Sequence, residues 1–322
     1  MKIVTWNING IRARLPIVLD WLKQNQPDII GLQEIKCQNE NFPIMEFEEL
    51  GYNVKIYGQK SFNGVALLSK MPFDEITRGL DGDENDEQAR LIEGVFSTKK
   101  GVVRVCNIYL PNGNPVNGGG VGVESEANNG DLNEQNPGGV GGQSEANNGD
   151  LNKQNPGGVP VSSTGQAQVE SKASNGNKNN SDKFLYKLKW MDRLNEFVSE
   201  RLKFEEPFIL MGDFNIIPAD IDCHNPKAWW GDALYRPESL EKFRTLKNLG
   251  MIDALRTTSD KPDYTFWDFQ AGAWRKNNGI RIDHLMLSPQ AADKLLSIKV
   301  HKDTRALERP SDHVPVEGKF SF

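Results

Sequence analysis

Apolar residues along this chain fall into short runs that stop on polar side chains. Lys2 to Trp6, Asp28 to Leu32, Asn53 to Tyr57, Gly64 to Ser69, Ala89 to Ser97 and Val102 to Tyr109 read as strands bounded by Gly, Pro or Asn. Phe208 to Met211, led in by Pro207 and closed by Gly212, reads as a buried strand because it has no polar member. Ile280 to Leu287, with Asp283 inside it, and the alternating Val316 to Phe322 complete the set. Three stretches carry the helical period instead. Leu15, Val18, Leu19 and Leu22 share one face of a helix opened by Pro16. Phe184, Leu188, Met191, Leu194, Val198 and Leu202 share a face of another that resumes order at Asp182, with Lys187, Lys189 and Arg193 on other faces. Pro237 opens the third, which carries Leu240, Phe243, Leu246 and Leu249 and is capped by Gly250.

The pattern lapses between Asn117 and Ser181, where Gly, Asn, Ser and Glu dominate. Residues 121 to 139 and 140 to 158 form a tandem repeat of 19 residues differing at three positions, with a partial echo at Val169 to Asn177. Each copy offers one Leu and one or two Val, too few for a solenoid core. The segment is expected to be a disordered surface insertion within one domain formed by 1–116 and 182–322. Removing its 65 residues from the 322 leaves 257, a size that suits one large α/β domain. The insertion also carries most of the net charge: it holds seven acidic and three basic residues, so the remainder has a net charge of −2 against −6 for the whole. A near-neutral domain neither requires nor excludes a polyanionic partner.

Cys37, Cys106 and Cys223 are odd in number, far apart and without CxxC spacing, which argues against a disulfide framework or a zinc site and fits a reducing cytoplasm. The N-terminus turns polar too soon for a signal peptide, and no apolar run reaches membrane-spanning length. A cytoplasmic protein with no membrane partner is the expectation.

The candidate chemistry lies where the apolar runs stop. Asn7, Glu34, Asn112, Asp213, Asn215, Asp283, Asp312 and His313 all sit at or near strand ends, where α/β proteins place their sites. Asp213 and Asn215 alternate onto one side of an extended segment, so a carboxylate and an amide face one pocket. Gathered carboxylates repel by roughly 4 kcal/mol per pair at 4 Å and an effective dielectric of 20. A divalent cation offsets this, and an oxygen-rich donor set without Cys selects Mg²⁺ or Mn²⁺ over zinc. Such sites handle phosphate esters.

Seven stretches carry a family resemblance: TWNINGIRAR at 5–14, LQEIK at 32–36, NIYLPNG at 107–113, GDFN at 212–215, YTFW at 264–267, GIRIDH at 279–284 and SDHVP at 311–315. In this order they resemble the exonuclease III type of apurinic/apyrimidinic endonucleases, within the endonuclease/exonuclease/phosphatase superfamily. The resemblance covers the whole chain outside the insertion. It implies a four-layer α/β sandwich, two mostly antiparallel sheets flanked by helices (DNase I-like). It implies a metal site of Asn7, Glu34 and Asp312, with Asp213, Asn215 and His313 adjoining it, and catalytic roles for Tyr109, Asp213, Asn215, Asp283 and His313. Arg12, Arg14, Lys36, Asn112, Phe266, Trp267 and Arg281 would contact DNA, and Phe266, Ile280 and Ile282 would form a pocket for a flipped-out abasic sugar. The implied activity is metal-dependent incision 5′ to abasic sites and 3′–5′ exonuclease action on duplex DNA, by a monomer.

Two other readings compete. A superfamily relative acting on a small phosphate ester would share Glu34, Asp213 and His313 but leave the YTFW and IRIDH stretches unexplained. A catalytically dead binding module would have lost a catalytic residue, and none is missing. The insertion is acidic and follows directly on Asn112 to Pro115, so it is not expected to help DNA binding. Deleting residues 117–181 is expected to leave the fold intact and DNA affinity unchanged or improved, read by circular dichroism and a DNA-binding titration. Loss of folding contradicts the expectation.

Overall fold

A computed structural model describes residues 1–116 and 176–322; of the insertion, residues 117–175, with the expectation of disorder attached to them, lie outside the described residues, whereas 176–181 are helical, so the helix begins at Gly176 and not at Asp182. The strands are β1 Lys2–Asn7, β2 Ile29–Gln33, β3 Asn53–Tyr57, β4 Val65–Ser69, β5 Glu75–Arg78, β6 Leu91–Thr98, β7 Gly101–Tyr109, β8 Phe208–Asp213, β9 Ile252–Asp253, β10 Asp283–Leu287, β11 Leu295–Val300 and β12 Val316–Phe320. Helix α1 spans Ile11–Asn25, α2 Ile44–Glu48, α3 Gly176–Leu202, α4 Pro226–Trp229, α5 Pro237–Asn248 and α6 Ala254–Thr258.

The strands make two six-stranded sheets, ordered β11-β12-β1-β2-β4-β3 and β5-β6-β7-β8-β10-β9. Each sheet has one parallel pair, β1 with β2 and β7 with β8, and its other neighbours are antiparallel. Parallel neighbours need a long return connection, and helices α1 and α3 lie within those two returns. The consequence for function is direct: β1 and β2, and likewise β7 and β8, finish side by side, with Asn7 opposite Gln33 and Tyr109 opposite Asp213.

Alternation decides which side chains meet between the sheets. Ile3, Ile29, Val65 and Leu67 of the first sheet pack on Val103, Val105, Ile209, Met211 and Leu285 of the second. The intervening residues face outward: Val4, Trp6, Ile30 and Leu32 onto α1, and Phe208, Leu210 and Met286 onto α3 and α5. Four layers result, as the resemblance implied. Toward the end where the site lies, the inward positions turn polar. Asn107 donates to the Leu32 and Ala66 carbonyls, both at 3.0 Å, and Gln33 donates to Thr5 Oγ1 at 2.8 Å, so buried amides tie the two sheets together. Gly31 makes this approach feasible, since a Cβ there would lie 2.6 Å from Asn107 Cγ.

Three local expectations are corrected. Helix α1 starts at Ile11 rather than at Pro16, because the Gly10 and Ile11 N–H groups donate to the Glu34 and Ile35 carbonyls (2.7 and 3.1 Å) and anchor the first turn. Strand β10 starts at Asp283, so this carboxylate heads the strand instead of interrupting it. Ile280 leaves the ladder to bridge Cys223 and Phe266. Lys187 does not lie on an outward face of α3: it is fully buried.

Behind β8, His284 is buried edge-on to Phe214 with ring centroids 5.3 Å apart. Arg281 can only donate, so it bonds to Nδ1 at 2.9 Å and the His284 hydrogen sits on Nε2, which donates to the Ile216 carbonyl at 3.0 Å. Burial and then the neighbouring Arg281 charge push the imidazole down to about 4. An unfolded His titrates near 6.5, so between those values only the unfolded chain takes up the proton and acidification destabilises the fold. The stability difference between the native and His284→Asn chains, from urea unfolding, is therefore expected to narrow by about 2 kcal/mol between pH 7 and pH 5. A difference independent of pH contradicts this.

Candidate active site

The strand ends converge as the sequence implies. Asn7, the last residue of β1, is wholly buried and donates from Nδ2 to Glu34 Oε1 at 2.8 Å and to Asp213 Oδ2 at 2.9 Å. One amide thus holds two carboxylates from different sheets. Glu34 follows β2 in a turn with φ +51°, and its Oε2 pairs with Lys36 Nζ at 2.8 Å. Asn9, Lys36 and Asn215 also have positive φ, at 46°, 51° and 49°.

Asp213 closes β8 opposite both Tyr109 and Asp283. Its Oδ1 accepts from the Asn215 N–H at 2.9 Å, and its Oδ2 lies 3.8 Å from His313 Nε2. The other ring nitrogen, Nδ1, donates to Asp283 Oδ2 at 2.9 Å. The imidazole is therefore held between two buried carboxylates. Asn112 donates to Asn215 Oδ1 at 3.0 Å, and Asn215 donates to the Leu110 carbonyl at 2.9 Å, which joins the exits of β7 and β8. The Tyr109 hydroxyl lies near Glu34, whose charge acts on it, and the Arg90 guanidinium stands 4.9 Å over its ring.

Charge states follow from burial and neighbours. Burial, reinforced by Asp283 and Glu34, raises the Asp213 carboxyl despite the opposing pull of His313. Burial acts to lower His313, but Asp283 and Asp213 overcome it and raise the imidazole, favouring the cation. Burial also works against the Glu34 carboxylate, yet Lys36, the Asn7 amide and His313 hold it below its ordinary value. Burial and then Glu34 raise the Tyr109 hydroxyl, so it stays protonated.

Glu34, Asp213 and His313 each offer a ligand atom within 4.8 Å of the others, forming a group able to hold a divalent metal. As a cation His313 has no lone pair free, so the donors left to a metal are the carboxylate oxygens of Glu34 and Asp213, which fit a hard cation. Asp312 stands beside this group: its Oδ1 accepts from Asn9 Nδ2 at 3.1 Å and Ser311 Oγ at 3.2 Å. Asn7 presents its N–H groups to the carboxylates, while its oxygen accepts from the Asn9 N–H at 3.0 Å.

The sequence profile of the Endonuclease/Exonuclease/phosphatase family matches residues 4–313, nearly the whole chain. The chain belongs to this family. It is therefore a hydrolase. Exodeoxyribonuclease III of Haemophilus influenzae is 30% identical across 99% of this chain and 100% of its own length. Among solved structures, a 3′ phosphatase from Neisseria bound to a product DNA hairpin superposes with a TM-score of 0.76 at 31% identity, covering all of both chains. An AP endonuclease from Archaeoglobus fulgidus gives 0.75 at 27% identity, again over both whole chains. No helix among the described residues is long and apolar enough to cross a membrane.

The expected DNA contacts divide. Arg12 and Asn112 are exposed. Arg14 and Lys36 border the site, bonding the Asn9 carbonyl at 2.8 Å and Asn9 Oδ1 at 2.6 Å. Phe266 packs against Ile280 and Ile282, with its ring 4.9 Å from the His313 ring, so these three apolar side chains meet beside the imidazole. Trp267 and Arg281 are corrected. Trp267 is fully buried against Trp274 and Tyr264, and its indole donates to Asn277. Arg281 is 1% exposed and forks onto Asp222 and Asp253 at 2.6 and 2.8 Å, so its donors are occupied inside the protein.

Sequence reasoning missed two groups. Arg90 steadies Tyr109 by donating to its carbonyl at 3.1 Å, and follows Ala89 with no motif to mark it. Lys187 reaches the site from behind, and burial pushes its ammonium down to about 7 against the pull of Asp232 and Asp213. Its signal was positional: it lies three residues after Phe184 and four before Met191, within the apolar stripe of α3.

Arg281→Leu is expected to lower the unfolding free energy by about 3–5 kcal/mol, because Asp222 and Asp253 lose their buried partner. The salt dependence of DNA binding should stay as in the native chain. Denaturant unfolding and a binding titration across salt concentrations check both. Unchanged stability with a shallower salt slope contradicts the buried assignment.

Proposed function

We propose that this hydrolase is a DNA repair nuclease that cleaves the phosphodiester 5′ to abasic sites and removes nucleotides from 3′ ends of duplex DNA, with Mg²⁺ at the Glu34 site. The observation that carries the reading is the meeting of Glu34, Asp213 and the Asp283-held His313 at one pocket, with ligand atoms of the first three within 4.8 Å. Its substrate class is supported by the relatives, which are named as exodeoxyribonucleases and as a DNA repair nuclease.

The chemistry divides among the side chains. Asp213, raised by burial, is suited to take a proton from an attacking water. The Asn215 N–H fixes one carboxylate oxygen and leaves the other, Oδ2, facing His313. His313, kept cationic by Asp283, meets the charge that develops on the phosphate oxygens as the bond to the leaving group breaks. The exposed amide of Asn112 adds a donor at the rim, and the protonated Tyr109 hydroxyl another beside Glu34. Glu34 and Asp213, with His313 adjoining, are the residues that would hold Mg²⁺; when bound, it neutralises phosphate charge and polarises the scissile linkage.

Lesion selection falls to Phe266, Ile280 and Ile282 beside His313. An abasic sugar has no base to unstack and no bulk to exclude, so a small apolar pocket admits it at lower cost than an intact nucleotide.

A duplex with one abasic site is expected to be incised 5′ to the lesion with Mg²⁺ and left intact with chelator, while Asp213→Asn lowers kcat by roughly 10²-fold or more. Turnover of a phosphoinositide in place of the duplex contradicts the reading. The rate should also be bell-shaped in pH: it rises as Asp213 loses its proton and falls when His313 loses its own. Asp283→Asn removes the main charge that raises His313, so the alkaline limb is expected to move to lower pH. An unmoved limb contradicts the assignment of that limb to His313.

A further inference from the structure

Lys187 is a fully buried lysine whose ammonium sits beneath the site. Its Nζ donates to the Asn215 carbonyl at 2.7 Å and to the Asn112 and Ala233 carbonyls at 3.0 Å each. An ammonium has three hydrogens, and all three are used. Among the described residues no carboxylate comes within 4.0 Å of it, so this is not a buried ion pair but a cation solvated by backbone.

The three carbonyls belong to segments far apart in the chain: the exit of β7, the exit of β8, and the loop that follows α4. Two of them belong to Asn112 and Asn215, whose side chains bond each other at 3.0 Å. The chain at Gly113 lies flat on the lysine stem, with φ +87°, and a Cβ there would be 2.7 Å from Lys187 Cδ and 3.2 Å from Ala233 Cβ. Ala233 is in turn fastened by its N–H to Asn114 Oδ1 at 3.1 Å, and Asn114 Nδ2 donates to Asp232 Oδ1 at 2.9 Å. The three loops form one unit with the ammonium at its centre.

We propose that Lys187 is a positioning residue for phosphodiester cleavage: by binding three carbonyls from below, it sets the backbone that aims the Asn112 and Asn215 amides at the phosphate. The role rests on the nuclease reading for its kinetic consequence and on geometry alone for its structural one. Lys187 is closed to solvent and so out of reach of a bound substrate, and it acts through the two amides. Its removal should therefore slow the chemical step more than it weakens substrate binding.

The test uses the full chain and Lys187→Met, which keeps the stem and deletes the donors. Circular dichroism reports folding, the ¹H–¹⁵N side-chain amide signals of Asn112 and Asn215 report geometry, and abasic-duplex incision reports kcat and KM. The expected result is a folded variant in which both amide signals move, those of the distant Asn53 and Asn195 stay, and kcat falls at least tenfold with KM within threefold. If Lys187→Met does not fold, Gly113→Ala pushes on the stem with the ammonium retained and is expected to give the same kcat loss and the same amide shifts. Unmoved amide signals in a folded variant overturn the proposal, as does a rise in KM with kcat within twofold of native. If the native chain leaves the abasic duplex intact, the nuclease reading fails separately, and the amide signals alone decide whether Lys187 positions Asn112 and Asn215.

Discussion

Crowded negative charge is the constraint on which this protein is built. Glu34, Asp213 and Asp283 share one pocket, and at an effective dielectric of 20 each close pair opposes folding by roughly 4 kcal/mol at 4 Å. The structure answers with groups placed between them. The Asn7 amide spans Glu34 and Asp213, the His313 imidazole spans Asp213 and Asp283, and Lys36 sits on the outer oxygen of Glu34. These devices reduce the repulsion without removing it, and what remains favours a divalent cation over water. A site of this kind works only if its carboxylates cannot move apart, and that requirement explains the architecture around it.

Rigidity comes from two sources. The parallel pairs at the centre of each sheet finish at the same end, so four strand ends meet there with their registers fixed by the ladders on either side. Beneath them Thr5, Gln33 and Asn107 replace apolar contacts with buried hydrogen bonds, which fix one relative placement of the sheets where sliding hydrocarbon would allow several. Gly31 is the residue that admits Asn107. The same economy appears behind β8, where Arg281 neutralises Asp222 and Asp253 and orients His284 against the chain that carries Asn215 and Ile216.

Much of this was legible in the sequence because burial on both faces leaves a strong mark. Phe208 to Met211 could only be an inner strand, and the polar residues that ended each run were those that met in space. Legibility failed where sequence adjacency and spatial side part company. Trp267 adjoins Phe266, and Arg281 lies between Ile280 and Ile282, yet in each case the neighbour faces the pocket while the motif residue turns into the protein. Edge strand β11 went unread because its exposed residues, Leu296 among them, leave no continuous apolar run. A lysine ordinarily marks an exposed face, whereas the position of Lys187 along α3 belongs to the buried stripe.

If the gathered carboxylates exist to hold a metal, folding and metal binding are linked, and the most direct measurement is the thermal unfolding midpoint with Mg²⁺ and with chelator, for the native chain and for Glu34→Gln. A cation that binds only the folded state raises the midpoint as its concentration exceeds its dissociation constant. The native midpoint is predicted to rise with Mg²⁺ and the Glu34→Gln midpoint to rise far less. Equal rises in the two chains would contradict the account, since the ion would then be stabilising the protein from somewhere else.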